Sequence, residues 1–149
     1  LDLSGIAKGF GVDRLAEILQ SASLSSWLVS IDGELRAGAP KPDGTRWAIA
    51  LEKPVVGIRK TSGVIEIADT AIATSGTYRH CREEGGQTVS HTINPASGRP
   101  VAGKLVSVTV LAPTCMAADA WATAILVDGS WPPTGFATPG DIAAIVSSD

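Results

Sequence analysis

The first clear periodicity begins at Ser4. Val12, Leu15, Ala16 and Leu19 recur at i, i+3, i+4 and i+7, one apolar face of a helix that Ser4 is suited to cap. Gly9 and Gly11 lie within its first turns, and each costs about 1 kcal/mol against alanine in a helix interior. Two such residues predict that another part of the chain approaches closely there. The pattern then shortens to strand-like runs at 27–31, 47–51, 64–67, 88–93 and 105–111. In the last, Val106, Val108 and Val110 share one face and Ser107 and Thr109 the other. Pro42, Asp43 and Gly44 mark a turn, and 94–100 reads as a turn-rich loop. A second helix is predicted after Pro113, with Thr114 as N-cap, Met116, Ala120, Ala124 and Val127 on one face, and Gly129 at its end. The prolines at 132 and 133 exclude regular structure there, and 142–146 reads as a last short strand or helical turn. Helices and strands do not alternate regularly, so an α+β fold is expected, with helices packed on a mixed or antiparallel sheet.

Composition adds limits. A chain of 149 residues suits one domain, and 44% hydrophobic against 18% charged residues suits a packed core rather than a disordered segment. The mean hydropathy of +0.21 is slightly high, which fits small residues in a tight core or a surface covered by something else. A net charge of −3 with no Lys/Arg cluster argues against nucleic acid as a partner. No apolar run approaches the roughly 18 residues of a membrane helix. Cys81 and Cys115 make no disulfide framework and no C-x-x-C pair, and His80, Cys81 and His91 fit no zinc spacing.

Candidate chemistry comes from four places. Asp119 and Thr123 are four apart on the second predicted helix, so a carboxylate and a hydroxyl share a face, a donor set for a hard cation such as Mg²⁺. A solvated helix face is the plain alternative, but the neighbours are apolar, and a carboxylate among them needs a partner. His91 follows Ser90, yet adjacent residues on a strand face opposite ways and no G-x-S-x-G elbow is present, so a serine hydrolase is not supported. His91 is open to a general-base, phosphate-facing or purely structural role. The segment 74–79 holds hydroxyls, a glycine and a cation, suited to phosphate or to a polar turn. Gly5, Lys8, Gly9 and Gly11 match neither a Walker loop nor a dinucleotide fingerprint, but they place amides and an ammonium at a helix start, where an anion is favoured.

Taken in order, five segments resemble the ApbE family, the FAD:protein FMN transferases. They are the D-L-S-G-I-A-K-G-F-G-V-D run at 2–13, V-S-I-D-G-E-L at 29–35, A-T-S-G-T-Y-R at 73–79, S-H-T-I-N-P at 90–95 with G-R-P at 98–100, and A-D-A-W-A-T-A at 118–124. The resemblance implies an α+β, T-fold-like partial domain. It places residues 1–129 as the second half of the family domain and 130–149 as a Pro/Gly-rich tail. The preceding half would then hold much of the adenosine end of FAD and cover the apolar face. It implies a Mg²⁺-dependent reaction that cleaves FAD, attaches FMN to a threonine of a partner protein and releases AMP. FAD hydrolysis to FMN and AMP, and an inactive flavin-binding fragment, are the alternatives.

By motif position, Gly5 (through its carbonyl), Asp119 and Thr123 correspond to metal ligands, Asp2, Lys8 and Ile93 to FAD contacts, and His91 to a catalytic group beside the acceptor hydroxyl. The acceptor implied is a subunit of a membrane redox complex, and the location periplasmic or at the cell envelope. Three positions depart from the family pattern: Asn94 stands where Asp is usual, Ala122 where some members carry a carboxylate, and Asp32 where glycine is usual.

Overall fold

The computed structural model describes residues 2–148 apart from 56, 79, 80, 85, 86, 135, 136 and 138, and the backbone alone at 81–84, 87 and 88. The elements follow in the order α1 (Ser4–Ser21), β1 (Leu28–Ile31), β2 (Glu34–Ala37), β3 (Trp47–Glu52), β4 (Thr61–Ile67), β5 (Thr70–Gly76), β6 (Cys81–Glu84), β7 (Gln87–Ser90), β8 (Ile93–Asn94), β9 (Arg99–Pro100), β10 (Leu105–Ala112), α2 (Cys115–Asp128) and β11 (Ala143–Ser148). Five strands form one antiparallel sheet in the order β1-β2-β5-β10-β11. The fold is α+β, as the irregular order of elements predicts. Among the described residues, no helix is long and apolar enough to cross a membrane.

The sheet is covered on both faces. On one, α2 buries Ala118, Ala122, Ile125 and Leu126 against Ala73, Val108 and Val110. Complete burial of Ile125 and Leu126 is worth about 1.5–3 kcal/mol each. Beside it, α1 buries Val12 against Ala71 and Cys115. On the other face the β3–β4 hairpin packs Trp47, Ile49, Leu51, Ile65 and Ile67 against Leu35, Ile72 and Leu111. The middle strand β5 shows why small residues matter. Ala71 and Ala73 face the helices, while Ile72 between them faces the hairpin, the two-residue alternation of a strand buried on both sides.

Several sequence expectations shift. Thr114 caps α2 by accepting from the Ala117 amide, and Gly129 takes the left-handed conformation at φ 80°, both as read from sequence. Ser4 does not cap α1. It lies inside the helix and donates to Asp2 from its amide (2.8 Å) and its hydroxyl (2.6 Å). The buried face of α1 is Gly9, Val12, Asp13 and Ala16, leaving Leu15 exposed. The buried face of α2 is Cys115, Ala118, Asp119, Ala122, Ile125 and Leu126, with Met116 exposed instead of buried. The run 88–93 divides between β7 and β8, and 142–146 falls largely in the edge strand β11.

Gly9 explains the expected close approach. A Cβ built there would lie 2.4 Å from the Cys115 carbonyl oxygen and 2.8 Å from the Met116 Cα. The two helices therefore cross backbone against backbone at the start of α2, which only glycine permits.

Candidate active site

That crossing is tied by two carboxylates, one from each helix. Asp13 on α1 accepts from the Cys115 and Met116 amides (both 2.9 Å) and from the Arg36 guanidinium (2.9 Å). It thus supplies acceptors and a negative charge to the N-terminus of α2, where free amides and the helix dipole favour both. Asp119 on α2 reaches the other way and accepts from the Gly9 amide at 3.0 Å. In a regular helix that amide serves the Gly5 carbonyl, so Asp119 competes for the donor that would otherwise occupy Gly5.

Asp119 is only 3% exposed, and among the described residues the Gly9 amide is its one hydrogen-bond donor. Burial pushes its carboxyl above the ordinary range, opposed by the Gly9 amide and by Lys8. Thr123, one turn on, has its hydroxyl 3.0 Å from the Ser75 hydroxyl. A Cβ built at Gly5 would lie 3.3 Å from the Thr123 oxygen, so the first turn of α1 stands directly beside it.

Lys8 extends from α1 to Glu34, at 2.8 Å, and lies 3.9 Å from Asp32. Asp32 and Gly33 are the two loop residues of the β1–β2 hairpin, with Ile31 paired to Glu34 and φ of 48° and 104°. A two-residue loop with both central residues left-handed favours this Asp-Gly pairing. Asp32 thus takes the turn conformation a glycine would take and adds a carboxylate beside Lys8. Glu34 is 2% exposed, and its Oε2 is buried without a partner among the described residues. Burial pushes the Glu34 carboxyl up, Lys8 opposes this, and the Asp119 charge adds to it. Neither Glu34 nor Asp13 is singled out by the sequence pattern. Their partners come from distant elements.

Lys8, Asp32, Glu34, Asp119 and Thr123 border one cavity of about 550 Å³. Its lining includes all seven residues marked from sequence: Asp2, Gly5, Lys8, His91, Ile93, Asp119 and Thr123. Asp32, Glu34, Thr74, Ser75, Tyr78 and Thr109 are among the other polar residues of its wall. Asp2 is held below the ordinary carboxylate range by the Ser4 hydroxyl and amide. His91 follows β7 and is exposed, and Ile93 opens β8. Arg79 and His80 lie outside the described residues.

The departures from pattern fall mostly away from the cavity. Asn94 accepts from the Ala96 amide at 2.9 Å and its carbonyl from Gly98 at 2.8 Å, a turn-forming role. Ala122 is fully buried in the α2 core. Cys115 is buried as well, and burial together with the Asp13, Glu34 and Asp119 charges pushes its thiol up to about 12, which makes it inert.

The sequence profile of the ApbE family matches residues 1–145. This chain belongs to the ApbE family. Among curated relatives, it is 49% identical over 129 residues to the FAD:protein FMN transferase of Vibrio cholerae and 40% identical to that of Escherichia coli K12. Both alignments cover 87% of this chain, but 39% and 37% of the relatives. Among solved structures, the flavin transferase ApbE from Vibrio cholerae superposes with a TM-score of 0.81 at 44% identity, covering 98% of this chain and 46% of that one. The apo flavinyl transferase ApbE from Pseudomonas stutzeri gives a TM-score of 0.81 at 36% identity, over 100% and 46%. The chain thus spans well under half the length of the curated relatives it matches.

Among the described residues, no three His, Cys, Asp or Glu side chains converge as a metal cluster. The oxygen donors at the α1–α2 crossing nevertheless suit a hard cation. Asp119 is buried with one amide partner, the Thr123 hydroxyl is fixed, and the Gly5 turn adjoins it. A cation there would offset the cost of burying the Asp119 charge.

Proposed function

We propose that this chain contributes the catalytic half of an FAD:protein FMN transferase. The carrying observation is the convergence on one cavity of seven residues that are scattered from Asp2 to Thr123 in sequence. In this reading, the reaction transfers the FMN phosphoryl group from FAD to the hydroxyl of a threonine in a partner protein. The threonine oxygen bonds to the FMN-side phosphorus, the bridging P–O bond breaks, and AMP leaves with the electron pair.

Asp119, Thr123 and the Gly5 carbonyl would hold Mg²⁺, which when bound neutralises diphosphate charge and polarises the bond that breaks. Lys8 faces the same cavity from the first turns of α1. Glu34 anchors its ammonium, leaving two N–H groups for diphosphate oxygens. Asp2 and Ile93, at the entrances to α1 and β8, line the flavin end of the space. His91 is exposed at the cavity wall, where a protein hydroxyl can reach it, and serves as the base that takes the threonine proton. The acceptor, by the resemblance, is a subunit of a membrane redox complex outside the cytoplasm.

Product analysis tests this. The chain is incubated with FAD, Mg²⁺ and a threonine-bearing acceptor peptide. A flavin-fluorescent peptide with one AMP per label is the expected result. Free FMN and AMP without label would replace the transferase by a pyrophosphatase. Folded protein that yields neither product would contradict a catalytic role for the chain.

A further inference from the structure

Ser75 carries no role in the reading above, yet among the described residues it makes the one side-chain hydrogen bond to Thr123, oxygen to oxygen at 3.0 Å. A hydroxyl has one proton and two acceptor lone pairs. Used as a cation ligand, it must turn a lone pair toward the metal and send its proton elsewhere. Thr123 lies between the first turn of α1 and β5, with Gly5 on one side and Ser75 on the other.

We propose that Ser75 is a positioning residue that accepts the Thr123 proton, leaving the Thr123 lone pairs to the cation held with Asp119 and Gly5. The inference rests on the metal site proposed above.

The fold favours this arrangement. Ser75 follows Ala71 and Ala73 on the helix-facing side of β5, and those alanines bring the helices close to the sheet. β5 is the middle strand of five, paired on both sides, so Ser75 sits on a rigid element. A helical threonine otherwise tends to bond the carbonyl four residues back, which needs a different rotamer and carries the oxygen away. Ser75 offers a competing acceptor in the productive direction. Partners of this kind, one bond removed from the metal, typically change affinity by about 10–100-fold.

The test is calorimetric titration of Mg²⁺ into the full chain in the presence of FAD, with the thermal midpoint measured with and without Mg²⁺. Ser75→Ala is expected to bind Mg²⁺ about tenfold more weakly while its metal-free midpoint stays near wild type. Ser75→Thr, which keeps the hydroxyl, is expected to restore affinity. Ser75→Cys, which keeps the volume but is a poor acceptor, is expected to behave like Ser75→Ala, and it serves if the alanine variant folds badly. Wild-type Mg²⁺ affinity in Ser75→Ala and Ser75→Cys, alongside its loss in Thr123→Ala, would overturn this inference alone. Absence of Mg²⁺ binding by the wild-type chain would overturn the metal reading and this inference with it.

Discussion

The two ends of the α1–α2 crossing use the same device to different ends. At each, a buried carboxylate reaches from one helix to the backbone of the other. Asp13 has both oxygens engaged, holding two α2 amides and the Arg36 guanidinium. Among the described residues Asp119 holds a single amide, and burial raises its carboxyl. Asp13 is absent from the cavity wall, whereas Asp119 lines it. A fully paired carboxylate is a tie. A carboxylate with fewer partners beside a cavity has capacity to spare for a ligand.

The contrast breaks first at Asp13. Asp13→Ala leaves the Arg36 charge and two helix amides unmet, and a loss of about 3–5 kcal/mol is expected in chemical denaturation. A loss below about 1 kcal/mol would mean that Asp13 is no more than a surface pairing. Gly9→Ala follows. Helix propensity favours alanine by about 1 kcal/mol, but the new methyl meets α2 backbone, so a net loss of about 1–3 kcal/mol is expected. Gly11→Ala meets only the tip of Ile31, at 2.9 Å, and should cost clearly less in the same measurement.

Glu34 sharpens the comparison through pH. Its carboxyl lies above the ordinary value of 4.5, mainly through burial, so the folded chain binds this proton more tightly than the unfolded one. Its contribution to stability is therefore fully present below that ordinary value and is lost as pH rises through the folded-state value. In Glu34→Gln that slope disappears. Thermal midpoints across the acid-to-neutral range should shift in favour of the variant as pH rises, and a shift the other way would contradict the assignment. The smallest effect is expected at Asn94. Asn94→Asp keeps the acceptor for the Ala96 amide and should change stability by no more than about 0.5 kcal/mol.

Much of this was legible in the sequence where one residue type answers one local demand. Thr114 and Gly129 mark both ends of α2, Gly9 announces a close approach, and the β-branched residues of β10 mark a buried strand. The helix faces were harder to read. In α2, apolar residues surround the axis, so periodicity had little to choose between. β2 and β5 were hidden because the cavity draws Glu34, Thr74 and Ser75 into them, and such residues read as turns or donors. The helix ties were illegible in principle. Asp13 meets Cys115 102 residues away and Asp119 meets Gly9 110 residues away, and no local pattern encodes either pairing. The site residues of α1 and α2 come together where the helices cross, and both ties lie at that crossing.

In the proposed function, the spare capacity of Asp119 belongs to Mg²⁺ and, through it, to FAD. The direct measurement is flavin labelling of a threonine acceptor across a Mg²⁺ titration, wild type against Asp119→Ala, with unfolding midpoints recorded alongside. Labelling is expected to rise with Mg²⁺ in the wild-type chain and to be abolished in a variant that still folds. Labelling by Asp119→Ala with an unchanged dependence on Mg²⁺ would contradict it.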